Sequence, residues 1–245
     1  MIEQQYTILS NEPIALDTYR MICSGDATVF TAPGQFVNVK IDPLYLRRPI
    51  SVCDWSVQHG TVTLVYKCVG TGTDKMREMT AGTTLNVLSP LGNGFDTSKG
   101  GQNPLVIGGG GGTPPLLGLC KQLVREGKKP QVILGFNTKD DVFFEKEFEE
   151  IGLKPIIATM DGSYGLRGMV TDACINVQGE YFFACGPLKM LQAICCSLPS
   201  EGQVSLEERM GCGFGACMGC SIMTKEGPQR VCKEGPVFER KVLDW

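Results

Sequence analysis

Four cysteines toward the end of the 245-residue chain have a spacing that suits iron–sulfur chemistry. The pattern is C-x4-C-x2-C-x11-C, formed by Cys212, Cys217, Cys220 and Cys232. Its first three members match the plant-type ferredoxin spacing for a [2Fe-2S] cluster, and four thiolates satisfy two irons. Glycines between them allow a tight loop whose backbone N–H groups point at the cluster sulfurs and help set the reduction potential. The pattern therefore predicts these cysteines as cluster ligands.

Zinc binding and chance clustering of buried cysteines are the alternatives. Zinc motifs usually pair one C-x2-C with another or with histidines, whereas this chain has one C-x2-C and a single histidine, His59. The other eight cysteines are interpreted as small buried hydrophobic residues. Cys185 is set apart from them because it lies in a second motif.

Five glycines, Gly108–Gly112, follow the apolar segment Pro104–Ile107 and precede Leu116–Val124, which has helical spacing. At such a strand-to-helix turn, a pyrophosphate can rest on the N–H groups of a helix N-terminus. Within the turn, Gly110-x-Gly112-x-x-Pro115 departs from the dinucleotide fingerprint, which has Gly or Ala in the sixth position. Proline suits the first turn of a helix. We interpret this segment as a nucleotide-binding turn and not as a flexible loop.

Further motifs offer groups that bind phosphate or pack against a ring. Cys185-Gly186-Pro187 follows the apolar strand Tyr181–Ala184, and ligands in open α/β sheets gather at the carboxyl ends of strands. Arginine in Arg48-Pro49-Ile50-Ser51 can bind phosphate through two hydrogen bonds. Val65-Tyr66-Lys67 offers a ring, and Gly70-Thr71-Gly72-Thr73 offers a backbone nest for phosphate. Each motif alone has a simpler structural interpretation, and their order along the chain is what favours a function.

Three regions must position these groups. Residues 1–100 are predicted to be β-rich, as a sandwich or barrel, because Phe36–Ile41 and Thr61–Lys67 alternate apolar and polar residues. A short helix is expected near Asp74, with Thr73 or Asp74 as its N-cap. Residues 101–201 alternate strands with helices, which predicts a parallel α/β sheet. Residues 202–245 form a short, turn-rich, cysteine-bearing segment.

The predicted elements of the second region are the following. The strands are Pro104–Ile107, Gln131–Phe136, Pro155–Met160 and Tyr181–Ala184, and the helices are Leu116–Val124, Val142–Ile151, Val170–Ile175 and Leu188–Ser197. The segment after the second strand, Gly135–Asp141, contains one lysine and two aspartates. Because a 2′-phosphate needs arginine or lysine there, we expect NAD(H) to be preferred over NADP(H).

Composition limits the class of protein. The net charge is −3, so a nucleic-acid-binding surface is not expected. No apolar run approaches the roughly 18 residues of a membrane span, and the polar N-terminus lacks a signal-peptide pattern. We therefore expect a soluble cytoplasmic protein whose clustered cysteines bind metal and do not form disulfides.

The order of the motifs resembles that of one known family. RPIS, VYK, GTGT, GGGGGTPP, CGP and the cysteine pattern occur in this order in the electron-transfer subunit of type B dihydroorotate dehydrogenase, within the ferredoxin–NADP reductase superfamily. The resemblance covers essentially all 245 residues. One departure is the glycine turn, which in the family more often reads GGGxGxxPL, where this chain has Gly111 and Thr113-Pro114.

The resemblance implies an FAD-binding β-barrel in residues 1–100, an NAD-binding α/β domain in 101–201 and a [2Fe-2S] domain in 202–245. It implies that FAD contacts Arg48, Pro49, Ile50, Ser51, Val65, Tyr66, Lys67, Gly72 and Thr73. It implies that the pyridine nucleotide lies near Gly110, Gly112, Pro115, Cys185 and Gly186. It also implies cluster ligation by the four spaced cysteines.

The resemblance further implies electron transfer in pyrimidine biosynthesis. Dihydroorotate is oxidised in a catalytic subunit that holds FMN, and electrons reach NAD+ through the cluster and FAD, in a heterotetramer of two of each chain. No acid–base residue of this chain is required. The cysteine loop, Gly211–Gly219, is expected to face the FMN subunit because Phe214 and Met218 make it apolar. The alternatives are a reductase for another acceptor and a non-catalytic redox-sensing subunit.

Overall fold

The computed structural model describes residues 1–174, 177 and 179–245. It contains a closed antiparallel barrel, a seven-stranded sheet and a two-stranded hairpin. The barrel and the mainly parallel sheet confirm the expected fold class of a β-barrel joined to an α/β domain. Within the described part of the chain, no helix is both long enough and apolar enough to cross a lipid bilayer.

The barrel takes up the first 91 residues and has the strand order β1-β2-β5-β4-β3-β6. The strands are β1 (Ile2–Ala15), β2 (Thr18–Ser24), β3 (Phe36–Val39), β4 (Arg48–Ser56), β5 (Thr61–Lys67) and β6 (Thr84–Leu91), and helix α1 (Thr71–Arg77) follows β5. Alternate residues of each strand point inward, as strand geometry requires. The interior is filled by large buried side chains, among them Tyr6, Ile8, Met21, Leu64 and Met76.

The seven-stranded sheet has the order β10-β9-β8-β7-β11-β12-β15, and all neighbours are parallel except the last pair. Its strands are β7 (Leu105–Gly109), β8 (Gln131–Phe136), β9 (Ile156–Thr159), β10 (Leu166–Arg167), β11 (Phe182–Cys185), β12 (Gly202–Ser205) and β15 (Val237–Glu239). Helices α2 (Thr113–Arg125) and α3 (Glu145–Glu150) cover one face, and α4 (Val170–Cys174) and α5 (Leu188–Ser197) cover the other. The carboxyl ends of the parallel strands therefore meet at one edge, where ligands gather in such sheets.

The C-terminal segment contributes two strands to the seven-stranded sheet. Its first strand, β12, and its last strand, β15, pair with one another inside the sheet, and the cysteines lie between them. The hairpin of β13 (Ser221–Thr224) and β14 (Gly227–Arg230) stands between the third and the fourth spaced cysteine. Asn93, just after the barrel, donates to the carbonyls of Glu234 and Val237, both at 2.9 Å. The cysteine segment is thus fixed to both larger units.

Several boundaries differ from the sequence-based expectations. Helix α1 begins at Thr71 with Gly70 as N-cap, so neither Thr73 nor Asp74 caps it. The helix expected over Val142–Ile151 is shorter, because Phe144 takes a left-handed conformation with φ of 70° and ends the extended chain just before α3. Strand β11 starts one residue later than expected, at Phe182. The helix expected over Val170–Ile175 appears as α4, and Ile175 lies outside the described residues.

Candidate functional site

A cleft of about 550 Å³ lies between the barrel and the carboxyl edge of the sheet. Barrel residues from β2 and β5 line one wall, and the turns after β7, β8 and β9 together with the start of α5 line the other. The lining residues include Thr18, Val65, Tyr66, Lys67, Gly109, Gly110, Gly111, Pro114, Asn137, Met160, Met169, Pro187 and Met190. Of the residues proposed from sequence, Val65, Tyr66, Lys67 and Gly110 border this cleft. Its size suits part of a dinucleotide.

The glycine turn and the Cys185-Gly186-Pro187 turn touch each other at the edge of the cleft. A Cβ on Gly112 would lie 2.3 Å from the carbonyl carbon of Cys185, so only glycine permits this approach. Gly186 has φ of 155°, and a Cβ there would lie 2.5 Å from Met190 Cε. Gly112 is also the N-cap of α2 and offers no capping side chain. Pro114 and Pro115 carry no N–H, and the Thr113 N–H donates to the Gly110 carbonyl. An anion in the cleft would therefore meet the backbone of Gly109, Gly110 and Gly111, which line it, and not the start of α2.

Two residues of the nucleotide motifs lie behind the cleft surface. Pro115 is buried in the first turn of α2, and its neighbour Pro114 lines the cleft. Cys185 is only 2% exposed, and burial raises the pKa of its thiol. Ser205 is directly opposite Cys185 in the pairing of β11 with β12. The Cys185 thiol is thus a neutral packing group in this structure, and Pro187 and Met190 form the adjoining wall of the cleft.

The arginine of β4 lies over the start of α1. A Cβ on Gly72 would lie 2.1 Å from Arg48 Nε, so the absence of a side chain makes room for the guanidinium group. Thr73 shapes the turn beneath it: its hydroxyl accepts from Val69 N–H at 2.9 Å and donates to the Gly70 carbonyl at 3.0 Å. Arg48 thus places a positive group beside the first turn of α1, with Nη1 donating to the Leu46 carbonyl, and such a group suits a phosphate.

The rest of the Arg48–Ser51 motif divides between the two faces of β4. Ile50 is buried in the barrel core, so only its backbone can reach a ligand outside. Pro49 and Ser51 point to the outer face, because they pair with Asn38 and Phe36 of β3 and residues directly opposite share a face. Both are partly exposed. The outer face of β4 is therefore partly open at Pro49 and Ser51, whereas the facing residues of β3, Phe36 and Asn38, are buried.

Tyr66 and Lys67 at the end of β5 have fixed positions. The Tyr66 hydroxyl donates to Asn11 Oδ1 at 2.9 Å, and its ring stacks on Tyr19 with centroids 5.9 Å apart. Burial raises the pKa of Tyr66, which keeps the phenol neutral. Lys67 Nζ forms an ion pair with Asp141 Oδ1 of the nucleotide sheet at 2.9 Å. These contacts hold both side chains in the barrel wall of the cleft.

The four spaced cysteines lie together in two pairs. The N–H of Cys217 points to Cys212 Sγ, and the N–H of Cys232 points to Cys220 Sγ, each at 3.5 Å. Cys217 is exposed, Cys212 is intermediate, and Cys220 and Cys232 are buried. Among the described residues, no group of three or more His, Cys, Asp or Glu side chains is arranged to hold a single metal ion. Two pairs of thiols are nevertheless the donor set that a cluster of two irons needs.

The two sides of this cysteine site differ in electrostatics. Burial acts to raise the pKa of Cys212, but backbone N–H groups of Phe214, Ala216 and Cys217 outweigh it and lower that pKa to about 6. Burial and the neighbouring Cys220 raise the pKa of Cys232 to about 12. Three loop N–H groups directed at one sulfur are what a thiolate ligand requires.

The cysteine loop is held from below and leaves an apolar surface above. Arg230 donates from Nη1 to the Gly215 carbonyl at 2.7 Å and pairs with Glu234. On the outside, Phe214 is 41% exposed and Met218 is 52% exposed. Sequence reasoning missed Arg230, and it missed Asp141 and Asn38 as contacts of site residues. Each of them is a polar residue whose partner is distant in sequence or belongs to a backbone, so no spacing pattern reveals it.

Comparison with known proteins gives consistent similarities. A family model described as the iron–sulfur cluster binding domain of dihydroorotate dehydrogenase B matches residues 207–244. A protein of Geobacillus sp. (strain WCH70), named dihydroorotate dehydrogenase B (NAD(+)), electron transfer subunit, is 44% identical over 98% of this chain and 97% of its own length. A protein of the same name from Fusobacterium nucleatum subsp. nucleatum is 41% identical over 95% of both chains.

Among solved structures, a chain from the structure of an NADH-dependent reduced ferredoxin–NADP oxidoreductase, studied for flavin-based electron bifurcation, is also similar. It superimposes with a TM-score of 0.89 and 29% identity, over 98% of this chain and 90% of its own length. The similarity therefore extends through the barrel, the sheet and the cysteine segment.

Proposed function

The chain belongs to the family of dihydroorotate dehydrogenase B (NAD(+)) electron transfer subunits, and on this basis we propose that it passes electrons from a dihydroorotate-oxidising partner subunit to NAD+. It is an oxidoreductase component. The observation that carries the proposal is that three sites surround one barrel. The cleft lies against β5, the Arg48 guanidinium group lies over the start of α1, and the two cysteine pairs lie beside β3.

The residues fit the cofactors that this activity needs. The Arg48 guanidinium group, which lies over Gly72, suits a flavin phosphate. The glycine backbone that lines the cleft beside the Gly112–Cys185 contact suits the pyrophosphate of NAD. Two thiol pairs and loop N–H groups suit a [2Fe-2S] cluster. When bound, FAD supplies hydride exchange and the cluster supplies single-electron transfer.

The chain's own residues bind and orient these groups. We propose that Arg48, Pro49, Ser51, Gly72 and Thr73 hold FAD on the outside of the barrel, with Ile50 contributing its backbone. Val65, Tyr66 and Lys67 form the wall that FAD and nucleotide share. The Tyr66 ring is kept in place by Asn11 and Tyr19.

The nucleotide and the cluster are proposed to be bound by residues of the second and third regions of the chain. Gly110, Gly112 and Gly186 give the backbone surface for NAD, with Pro115 and Cys185 supporting the two turns from behind. Cys212 and Cys217 would ligate one iron, and Cys220 and Cys232 the other. We propose residues 1–100 as the FAD domain, 101–201 as the NAD domain and 202–245 as the cluster domain, the last completing the sheet with β12 and β15.

The partner is proposed to be an FMN-bearing catalytic subunit, in a complex of two of each chain. The apolar outer side of the cysteine loop, with Phe214 and Met218, supports a contact between the loop and that subunit. The described residues form the barrel, the sheet and the cysteine segment, and the similar proteins are named electron transfer subunits. Dihydroorotate oxidation is thus assigned to the partner.

The test is to purify this chain alone, reconstituted with FAD and cluster. We expect it to reduce an artificial dye with NADH, and to show dihydroorotate-dependent reduction only after the partner subunit is added. Steady dihydroorotate turnover by the isolated chain would overturn the assignment of subunits.

A second candidate is a reductase for another electron acceptor. The similarity to a chain of an NADH-dependent reduced ferredoxin–NADP oxidoreductase, over nearly the whole of both chains, favours it. The discriminating measurement is co-purification under native conditions. An FMN-containing chain that accompanies this one supports the first candidate, and a different redox partner supports the second.

A further inference from the structure

Asn38 on β3 is buried at a position where the strand pattern predicts exposure. Its neighbours Val37 and Val39 point into the barrel core, so Asn38 points outward. A polar residue that faces out of a barrel is normally hydrated, yet Asn38 is only 1% exposed. The cysteine loop, 174 residues later in sequence, covers it.

The contact with the loop is direct and close. Asn38 Nδ2 donates to the carbonyl oxygen of Cys212 at 3.1 Å. The next residue, Gly213, has φ of 79°, and a Cβ there would lie 2.5 Å from Asn38 Nδ2. The left-handed backbone and the lack of a side chain at Gly213 therefore allow the amide to approach the loop beside a cluster ligand.

On its other side, Asn38 belongs to the surface proposed for FAD. It lies directly opposite Pro49 in the antiparallel pairing of β3 with β4, and Ser51 is opposite Phe36 on the same face. Side chains directly opposite have Cβ atoms about 5 Å apart, and diagonal neighbours are about 7–8 Å apart. One side chain thus touches the cysteine loop and borders the strand proposed to hold the flavin.

The amide oxygen of Asn38 is left without a partner. Asn38 Oδ1 is buried, and no residue in the described part of the chain donates a hydrogen bond to it. Reversing the amide would point oxygen at the Cys212 carbonyl, so the orientation with nitrogen toward the loop is the favourable one. A buried acceptor without a donor is unfavourable. Because this one lies between the cysteine loop and the strand proposed to hold FAD, we infer that its donor belongs to the loaded site.

We propose that Asn38 is a positioning residue that joins the flavin strand to the cluster loop. Its N–H fixes Cys212 against β3, and its free oxygen is directed to a donor in the loaded site. This inference rests on the proposed function. It makes the relative placement of the two redox groups depend on one side chain of the barrel instead of on the loop alone.

The test uses the complete chain loaded with FAD and cluster. Asn38→Leu keeps the approximate size and removes both hydrogen-bonding groups. Asn86→Leu is the matched control, because Asn86 lies on the adjacent strand β6, also has a buried unpartnered amide oxygen, and donates to Glu3 instead of the loop. The readouts are the EPR spectrum and midpoint potential of the reduced cluster, the rate of NADH-to-flavin reduction and the rate of flavin-to-cluster transfer.

We expect Asn38→Leu to shift the cluster potential, to change its EPR spectrum and to slow flavin-to-cluster transfer by roughly 10–100-fold, the range for residues that orient metal ligands. Flavin-to-cluster transfer should fall by a larger factor than NADH-to-flavin reduction, and Asn86→Leu should match the wild type throughout. Wild-type spectrum, potential and transfer rate in Asn38→Leu would overturn the inference.

If Asn38→Leu does not fold, Asn38→Asp decides the question, because it keeps the shape and replaces the N–H donor with oxygen. The same shifts are expected, and a wild-type cluster signature in this variant would equally reject the role of Asn38. A wild-type chain that shows no [2Fe-2S] signal after reconstitution would instead remove the proposed function, and this inference with it.

Discussion

Lys67 and Asp141 connect the barrel to the nucleotide sheet across the cleft, with Nζ and Oδ1 2.9 Å apart. Asp141 closes the turn after β8, where its Oδ2 accepts the N–H and the hydroxyl of Thr138, both at 3.2 Å. One carboxylate therefore shapes the nucleotide side of the cleft and holds it against the barrel. The Lys67 ammonium group already has its partner within the protein, so its proposed contact with FAD is shared with this ion pair.

The Lys67–Asp141 pair predicts a loss of stability in acid. Burial acts to raise the pKa of Asp141, but Lys67 and the Thr138 donors outweigh it and hold that pKa below its ordinary value of 3.8. Because the folded-state pKa is lower than the unfolded one, the stabilisation is complete above the unfolded pKa and disappears as pH falls through the folded pKa. Asp141→Asn should remove about 1 kcal/mol near neutral pH.

The measurement is the free energy of unfolding in urea from about pH 6 down to about pH 3. The difference between wild type and Asp141→Asn should shrink as pH falls, whereas Asp140→Asn, at the exposed neighbour, should change little. A difference that stays constant over the whole pH range would contradict the role given to this carboxylate.

Arg48→Ala should weaken FAD binding. It removes the proposed charge-assisted phosphate contact, which would contribute about 1.5–3 kcal/mol and correspond to a loss of affinity of about 10–150-fold. Flavin content after gel filtration and a fluorescence titration measure it. Arg125→Ala, at an exposed arginine on α2, is the control. Full flavin occupancy in Arg48→Ala would make this arginine a surface residue without a role in binding.

Gly72→Ala should have nearly the same effect without touching the arginine. The new Cβ would lie 2.1 Å from Arg48 Nε, so the guanidinium group must move away. Alanine favours a helix by about 1 kcal/mol over glycine, so α1 itself should be no less stable. Flavin affinity should fall in Gly72→Ala and fall little further in the double variant with Arg48→Ala. Fully additive losses would show that the two residues act separately.

Cys217→Ser should remove most of the visible absorbance and iron of the cluster, because one of the four thiolates is lost. Dye reduction by NADH should persist, since the cleft and the barrel lie apart from this cysteine. Cys196→Ser is the matched control, because Cys196 is also exposed but lies on α5 outside the pattern. Iron content and spectrum unchanged in Cys217→Ser would refute its assignment as a ligand.

Asp161 adds a reason to expect NADH over NADPH. It follows β9, and its pKa is lowered because the Ser163 hydroxyl and N–H donate to it at 2.6 and 3.0 Å. The Ser163 hydroxyl in turn accepts from Lys139 N–H at 2.8 Å, which joins the ends of β8 and β9. Because the preceding residue, Met160, lines the cleft, we expect a fixed negative charge here to disfavour a 2′-phosphate.

Asp161→Asn should therefore raise kcat/KM for NADPH relative to NADH, because it removes a negative charge that would repel the 2′-phosphate. Asp26→Asn is a suitable control, because Asp26 makes the same kind of turn with Thr28 on the barrel, away from the cleft. Equal use of NADH and NADPH by the wild type would reject the predicted preference.

Local pattern predicts much of this fold. Thr61–Lys67, Gln131–Phe136 and Leu188–Ser197 have the predicted boundaries because alternation or helical spacing runs to their ends. Strand β1 was not predicted, because Tyr6 and Ile8 are its only fully buried residues and the rest of its 14 residues show no clear period. Strand β1 is held by backbone hydrogen bonds to β2 and β6, and backbone pairing does not require a particular pattern of side chains.

The site divides in the same way. Motifs fixed by backbone chemistry, such as the glycine turn and the cysteine spacing, are visible in sequence because the required residue types are rare. Asn38, Asp141 and Arg230 are not visible, because each acts on a group brought near by the tertiary fold. The burial of Asn38 in particular cannot be predicted from the alternation of residues in β3, because it is caused by the distant cysteine loop.

Strands β12 and β15 lie before and after the cysteine segment in sequence, and both belong to the seven-stranded sheet. Redox proteins that tether a carrier domain by a linker depend on that domain diffusing between its two partners, so their turnover slows as the solvent thickens. Here both ends of the cysteine segment are strands that are hydrogen-bonded into one sheet. We expect internal electron passage to be insensitive to added glycerol or sucrose, with any viscosity dependence confined to the arrival and departure of the nucleotide.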